Sequence, residues 1–203
     1  MQITWIQRNY QRIMNRLRRW LFVSVIYVRD LREEELKAPP EGFEAKFVDK
    51  GELLECCSDP SLGMSAQFVE SAFARGDVCT GMFYNERLIA YMWRSTSLTP
   101  HTKSIDVETR KPYRYGYKAL TLKEYRGRHI PEYLAPVSSR YFIERGYIYT
   151  IGFVETQNYA SRKSELRRGS YKVGYAGYIS LFGVRITFRT TGVRETGFRF
   201  VSK

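Results

Sequence analysis

The chain has 203 residues, 43% of them apolar, and a formal net charge of +12. That length and apolar share suit one domain with a full core and exclude a globally disordered chain. The positive surplus draws anions (nucleic acid, anionic lipid or phosphorylated cofactors) without choosing among them.

Residues 2–21 read as a helix, because Ile6, Tyr10, Ile13, Leu17 and Trp20 recur at steps of 4, 3, 4 and 3. Arg8, Arg12, Arg16 and Arg19 recur at helical spacing on another side, and no acidic residue precedes Asp30. Such a basic amphipathic helix suits the surface of an anionic membrane. It equally suits packing on its own domain or on a second subunit with the arginines outward, and the sequence leaves these open. The apolar run Trp20–Val28 is too short to span a bilayer. Arg29-Asp30 follows it where a leader would carry a small-residue cleavage site, so no signal peptide is expected. The three cysteines, Cys56, Cys57 and Cys79, make neither an even set nor paired CxxC motifs. Neither a disulfide framework nor a zinc site is expected, and a reducing, cytoplasmic compartment suits them.

Residues 21–28 read as a strand, and Ala38-Pro39-Pro40 as a linker or turn. Asp49 and Glu52 form a capping box ahead of Leu53 and Leu54. A further helix starts near Ser65, carries Phe68, Val69, Ala72 and Phe73, and stops at Gly76. Strands 78–84 and 88–95 flank a hairpin loop, Asn85-Glu86-Arg87. A polar loop is expected over 97–103 and a strand near 104–110. The long aromatic strand 113–122 runs into Lys123-Glu124-Tyr125-Arg126-Gly127-Arg128. A helix over 131–145 ends at Gly146, and Pro136 in its interior predicts a kink or a distorted turn. Then come strand 147–154, a helix from Asn158 to Arg168 ending at Gly169, strands 171–181 and 184–189 meeting at Phe182-Gly183, and a short strand near 198–201. This is a mixed α/β order in which helices cross over between strands of the second half.

The informative stretch is 117–170. A strand ending in Arg126-Gly127-Arg128 and passing at once into a helix aims main-chain N–H groups and the helix dipole at one point, which suits a diphosphate. Arg126 and Arg128 add cationic donors. A turn that merely uses glycine for its φ angle fits the same residues. After the next strand come Val154, Asn158, Ser161 and Gly169. Here the sequence resembles the GNAT superfamily of N-acetyltransferases, whose phosphate-binding turn is followed by a helix, a second parallel strand and V-x-x-x-N-x-x-A/S. Four departures stand out: His129 in place of a second Gly or Ala, Pro131 in place of a further Gly, Ser170 in place of Phe, and Glu165 where many members carry a thiolate-protonating Tyr.

The resemblance implies an α/β (α+β) fold: a mixed, mostly antiparallel central sheet with flanking helices and a splayed parallel strand pair, preceded by the basic helix. It divides the chain into helix 1–21, an acyltransferase domain over 22–190, and a tail or short strand over 191–203. It implies acetyl-CoA or another acyl-CoA as donor and a primary amine as acceptor, without metal. Leu120, Thr121, Leu122, Arg126, Gly127, Arg128, His129, Ile130, Asn158 and Ser161 would bind the donor, and one main-chain N–H of 120–122 would face the acyl oxygen. Neutralising an alkyl amine at pH 7 costs ~4 kcal/mol, so a base is wanted. Glu124 and Glu155 are candidates for it, though solvated carboxylates paired with arginine fit them as well, and Tyr159, Tyr117 and Glu165 are candidates for an acid. His101 has no partner visible in sequence. Residues 55–76 and 96–112, where the fold builds its acceptor site, carry no recognisable code. Two rival readings use the same fold: a long-chain acyltransferase fed by an acidic acyl carrier protein at a membrane, and a non-catalytic binder of nucleic acid or membrane. No nucleic-acid motif is present to support binding to nucleic acid, and a homodimer stays open. There is no Ser-His-Asp set, Walker loop or metal-ligand cluster.

Overall fold

The structure, a computed structural model, describes residues 4–203. In chain order its first elements are α1 (Trp5–Leu17), β1 (Leu21–Asp30), β2 (Phe43–Val48), α2 (Lys50–Cys56) and α3 (Ala66–Ala74). Next come β3 (Val78–Tyr84), β4 (Arg87–Ser95), β5 (Thr99–Thr102), β6 (Ile105–Glu108) and β7 (Tyr113–Thr121). The rest are α4 (Ile130–Val137), α5 (Ser139–Ile143), β8 (Tyr149–Glu155), α6 (Tyr159–Arg167), β9 (Tyr171–Leu181), β10 (Val184–Arg189), α7 (Thr191–Glu195) and β11 (Arg199–Ser202). The expected mixed α/β class with mostly antiparallel pairing holds. The chain forms two compact units, one of residues 30–97 with 111–150, the other of residues 1–29, 98–110 and 151–203.

In the first unit the strand order is β7-β4-β3-β2, each pair antiparallel. Asn85 and Glu86 both take positive φ, 47° and 63°, so the β3–β4 hairpin turns on two residues and Arg87 already belongs to β4. That backbone matches the twist of the flanking strands. α2 starts at the Asp49–Glu52 capping box and α3 at Ser65, as expected. Leu53, Val69, Ala72, Met82, Ile89 and Trp93 are fully buried, and Ile130 and Leu134 of α4 join the same cluster. Phe68 and Phe73 meet Trp93 edge-on.

Pro136 has the predicted effect. The helical stretch breaks into α4 and α5 at Ser138, and the buried Arg114 closes the break. Its Nη1 donates to Ser138 Oγ (2.8 Å) and to the Ser138 carbonyl (3.2 Å), and its Nε donates to Thr150 Oγ1 (2.9 Å). Tyr113 stacks on Tyr149 beside this contact, so β7 and β8 start from the same end as a parallel pair. From Ile151 onward β8 belongs to the other unit.

In that second unit the strand order is β10-β9-β1-β8. β1 is therefore an inner strand between β8 and β9, and runs two residues past its expected end. A small sheet, β11-β6-β5, lies in the same unit. Its core is aromatic: Phe22 meets Phe153, Tyr178 and Phe200 at centroid distances of 5.7, 5.0 and 5.7 Å.

Four local expectations change. β2 went unread because it is an edge strand carrying Glu44 and Lys46. α7 has five residues, too few to show a period. The polar loop expected over 97–103 contains β5, since Thr99 pairs with Val107 and hides its small polar side chain. α1 spans a shorter stretch than 2–21, and residues 2 and 3 lie outside those described.

His101 on β5 lies among Phe22, Phe153 and Phe200 at 5.2, 5.1 and 5.7 Å. Burial, with some help from Arg18, pushes its pKa down to about 4. The unfolded chain then takes up this proton near pH 6.5 while the folded chain resists, so stability is full above pH 6.5 and falls as the pH drops toward 4. The loss reaches at most ~3 kcal/mol. His101→Phe removes it, and urea midpoints of the two proteins compared at pH 7.5 and pH 4.5 are expected to diverge only at the lower pH.

Candidate active site

Within the first unit, β7 carries a bulge. Tyr91 pairs with Leu120 and Trp93 with Tyr117, which leaves Lys118 and Ala119 opposite Met92 alone. Lys118 takes φ 41°, and its Nζ donates to the Gly63 carbonyl (3.0 Å) while sitting 4.6 Å over the Phe68 ring. Burial lowers its pKa. Past the bulge, Leu122 N–H donates to the Ile89 carbonyl at 2.9 Å. That donor is committed to β4, and by strand alternation the N–H of Thr121 is turned to the opposite edge. Thr121 C=O accepts from Arg126 Nε (3.1 Å), so Arg126 folds back over the end of its own strand.

A 3₁₀ turn over Lys123–Tyr125 follows. Gly127 then takes φ 84° and His129 φ 57°, two left-handed residues in a span of three. Among the described residues, the main-chain N–H groups of Gly127, Arg128, His129 and Ile130 donate to no protein acceptor. They lie at the start of α4, whose second residue, Pro131, has no N–H to satisfy. The helix dipole adds partial positive charge there. Residues 126–129 are exposed, and a Cβ built on Gly127 meets nothing within 4 Å. Arg128 lies over the Tyr125 ring, 5.6 Å from its centroid. His129 Nδ1 sits 2.8 Å from Glu132 Oε1, so the imidazole is drawn toward the first turn of α4. Glu124 is exposed and pairs with Arg87 (3.6 Å), which also holds Asp59 (3.0 Å).

Sequence reading missed a buried polar cluster in this unit. Tyr117 Oη donates to Asp77 Oδ2 at 2.6 Å, and Arg75 Nη2 reaches the same oxygen at 2.7 Å and Tyr117 Oη at 3.4 Å. The Asp77 side chain is wholly buried, and its Oδ1 has no partner among the described residues. Burial first, and the bond to Asp77 second, push the Tyr117 pKa up, so it stays a phenol. Tyr115, stacked on it at 5.5 Å, is raised by burial as well. Asp77 and Tyr117 are forty residues apart, and no spacing rule joins them.

The second unit holds the remaining candidates. Asn158 caps α6, its Oδ1 accepting from Ser161 N–H at 3.1 Å. Tyr159 is the first residue of α6, with Arg162 5.6 Å from its ring centroid. Glu155, at the end of β8, has both oxygens engaged, by Arg18 Nη2 (2.5 Å) and Gln157 Nε2 (2.6 Å). Glu165 is likewise held by Arg168 and by Ser170 Oγ (2.9 Å). Ser170, which departs from the Phe of the family pattern, thus has a polar partner in Glu165. The same unit has an open groove of about 480 Å³ between β10 and β11, bordered by Arg189, Arg194 and Arg199. Among the described residues no cluster of His, Cys, Asp or Glu could hold a metal ion.

No family model matches this sequence, and no curated protein matches it. Solved structures do. A Drosophila protein superposes with a TM-score of 0.56 at 16% identity, over 89% of this chain and 59% of its own. A GCN5-related N-acetyltransferase from Kribbella flavida gives 0.54 at 9% identity, over 90% and 65%. The fold is that of the GNAT N-acetyltransferases. A GNAT-family acetyltransferase described as putative, from Novosphingobium aromaticivorans, gives 0.52 at 15% identity, over 75% and 60%. This chain therefore spans roughly three fifths of the length of these three neighbours, and at such identities the likeness is one of fold.

Two outcomes follow from the geometry. Gly127→Ala forces a β-carbon into a left-handed residue and is expected to lower the unfolding free energy by about 1 kcal/mol in urea titrations. Tyr117→Phe strips one bond from buried Asp77 and is expected to cost about 1–3 kcal/mol by the same measurement.

Proposed function

We propose that the chain is an N-acyltransferase that moves an acyl group, acetyl above all, from acyl-CoA to a primary amine. The observation that supports this most is the turn after β7. Four uncommitted N–H groups and two left-handed residues lie together in the largely exposed stretch that opens α4, beside Arg126 and Arg128. The open space over Gly127 suits a diphosphate, which needs the backbone to come close.

In this reading the N–H groups of Gly127–Ile130 hold the diphosphate, with Arg126 and Arg128 adding charge. The Thr121 N–H, turned away from β4, is the donor that β7 offers to the acyl oxygen. Leu120 and Leu122 shape the strand around it. By resemblance Asn158 and Ser161 serve the pantetheine arm, and the Asn158 amide nitrogen is available while its oxygen caps α6. The thioester supplies an acyl group already activated for transfer, so the remaining task is to take a proton from the amine. Glu124 is the more accessible base, held only by Arg87, whereas Glu155 is engaged at both oxygens. Tyr159 is the acid that the resemblance suggests. His129 beside the turn, together with the +12 charge, also suits a donor carried by an acidic acyl carrier protein.

Acetyl-CoA at about 1 mM is expected to raise the melting temperature of the wild-type protein by several degrees. Gly127→Glu is expected to abolish the shift, as is the double variant Arg126→Ala/Arg128→Ala, which keeps the glycine. The absence of a shift with acetyl-CoA and with longer acyl-CoAs would overturn the reading, and competition by acyl carrier protein would identify the carrier as donor.

A further inference from the structure

We infer that the apolar stripe of α1, continued onto the β9–β10 hairpin, is a docking surface for an anionic lipid bilayer. All of these residues lie in one unit. The helix has three faces. Gln7, Gln11 and Met14 point inward, while Arg18, just past the helix end, is exposed. Met14 is the only buried residue of α1, and Arg18 reaches Glu155. Tyr10 at their margin donates to Thr156 Oγ1 at 2.8 Å. A second face carries Ile6, Ile13, Leu17 and Trp20, and the third carries Arg8, Arg12, Arg16 and Arg19. An amphipathic helix packed on its own domain turns its apolar stripe inward. Here Ile6 is 72% exposed, and Ile13 and Trp20 are more than half exposed.

The stripe does not end with the helix. Trp20 C=O accepts from Ser180 N–H at 2.7 Å, and Leu21, Ile179 and Ile186 are cross-strand partners. Leu181 and Val184 are the next pair on the same sheet face, both exposed, and Phe182 at the tip is 102% exposed. A bilayer fits better than a second protein because of the charge alongside. Arg12, Arg16 and Arg19 form no ion pair among the described residues, and the first acidic residue of the chain is Asp30. Arginines bordering exposed Trp, Ile and Leu give phosphate headgroups and acyl chains one partner each. A nucleic acid would engage the arginines and leave the stripe wet. No helix among the described residues is long and apolar enough to cross a membrane, so this contact lies on the surface.

The test is co-sedimentation with vesicles of phosphatidylcholine containing about one third phosphatidylglycerol, against phosphatidylcholine alone. The full chain is expected to bind the anionic vesicles. Ile13→Asp/Leu17→Asp, Arg12→Glu/Arg16→Glu and Phe182→Asp are each expected to weaken binding ~tenfold or more with an unchanged melting temperature, since all five side chains are solvated. Three results would overturn the inference: no binding to anionic vesicles, equal binding by wild type and all three variants, or tighter binding to single-stranded RNA than to vesicles. A dimer in sedimentation equilibrium that Ile13→Asp/Leu17→Asp dissolves, without vesicle binding, would assign the stripe to a second copy. These readouts do not use acyl transfer, so the surface and the proposed activity stand or fall separately.

Discussion

The site depends on one constraint: Leu122, the residue just past β7, and Ile130, the first of α4, are buried in the same core. Leu122 below the turn and Ile130 and Leu134 above it pack with Ile89 and Trp93. Leu122 is further pinned by its N–H bond to Ile89. With both ends anchored, the short link between them must reverse direction within a few residues, and it does so through left-handed Gly127 and His129. The N–H groups of such a link have no strand partner and no preceding helical turn, so they remain available to an anion. The donors are a by-product of burying apolar side chains on either side of a tight corner.

Buried polar groups in the first unit work as braces. Arg114 occupies the break caused by Pro136 and donates to the Ser138 carbonyl there. The trio Arg75, Asp77 and Tyr117 ties the end of α3 to β7 just ahead of its bulge. A carboxylate buried beside a phenol and a guanidinium is costly to leave half-paired, which keeps this end of β7 in one arrangement. The bulge then sets which edge of the strand each later N–H faces, so the orientation of Thr121 is fixed upstream of the turn itself.

The second unit solves a different problem. Its sheet face around Phe22 is filled by aromatic rings and by His101, which is neutral at physiological pH because burial lowers its pKa to about 4. α1 contributes little to that core. It is held by Tyr10 and Arg18, polar contacts that leave its apolar stripe toward solvent. The candidate side chains of this unit are also locally engaged, the Asn158 oxygen with its helix cap and Glu155 and Glu165 with arginines.

Much of this was legible in the order of residues, because local rules act over a few positions. The Asp49–Glu52 capping box, the hairpin at Asn85-Glu86-Arg87, the break at Pro136, the turn at Phe182-Gly183 and the strand–Gly127–helix corner all depend on neighbours in the chain. The apolar and arginine faces of α1 were visible as periodicity, but the third face, around Met14, that would be buried was not, since that depends on what the rest of the unit offers it. Tertiary structure alone placed β1 between β8 and β9, paired the edge strand β2, set His101 among aromatic rings and joined Asp77 to Tyr117. Each of these is a contact between residues far apart in sequence. Burial and pairing at that range follow from the packing of whole elements, which no window of neighbouring residues contains.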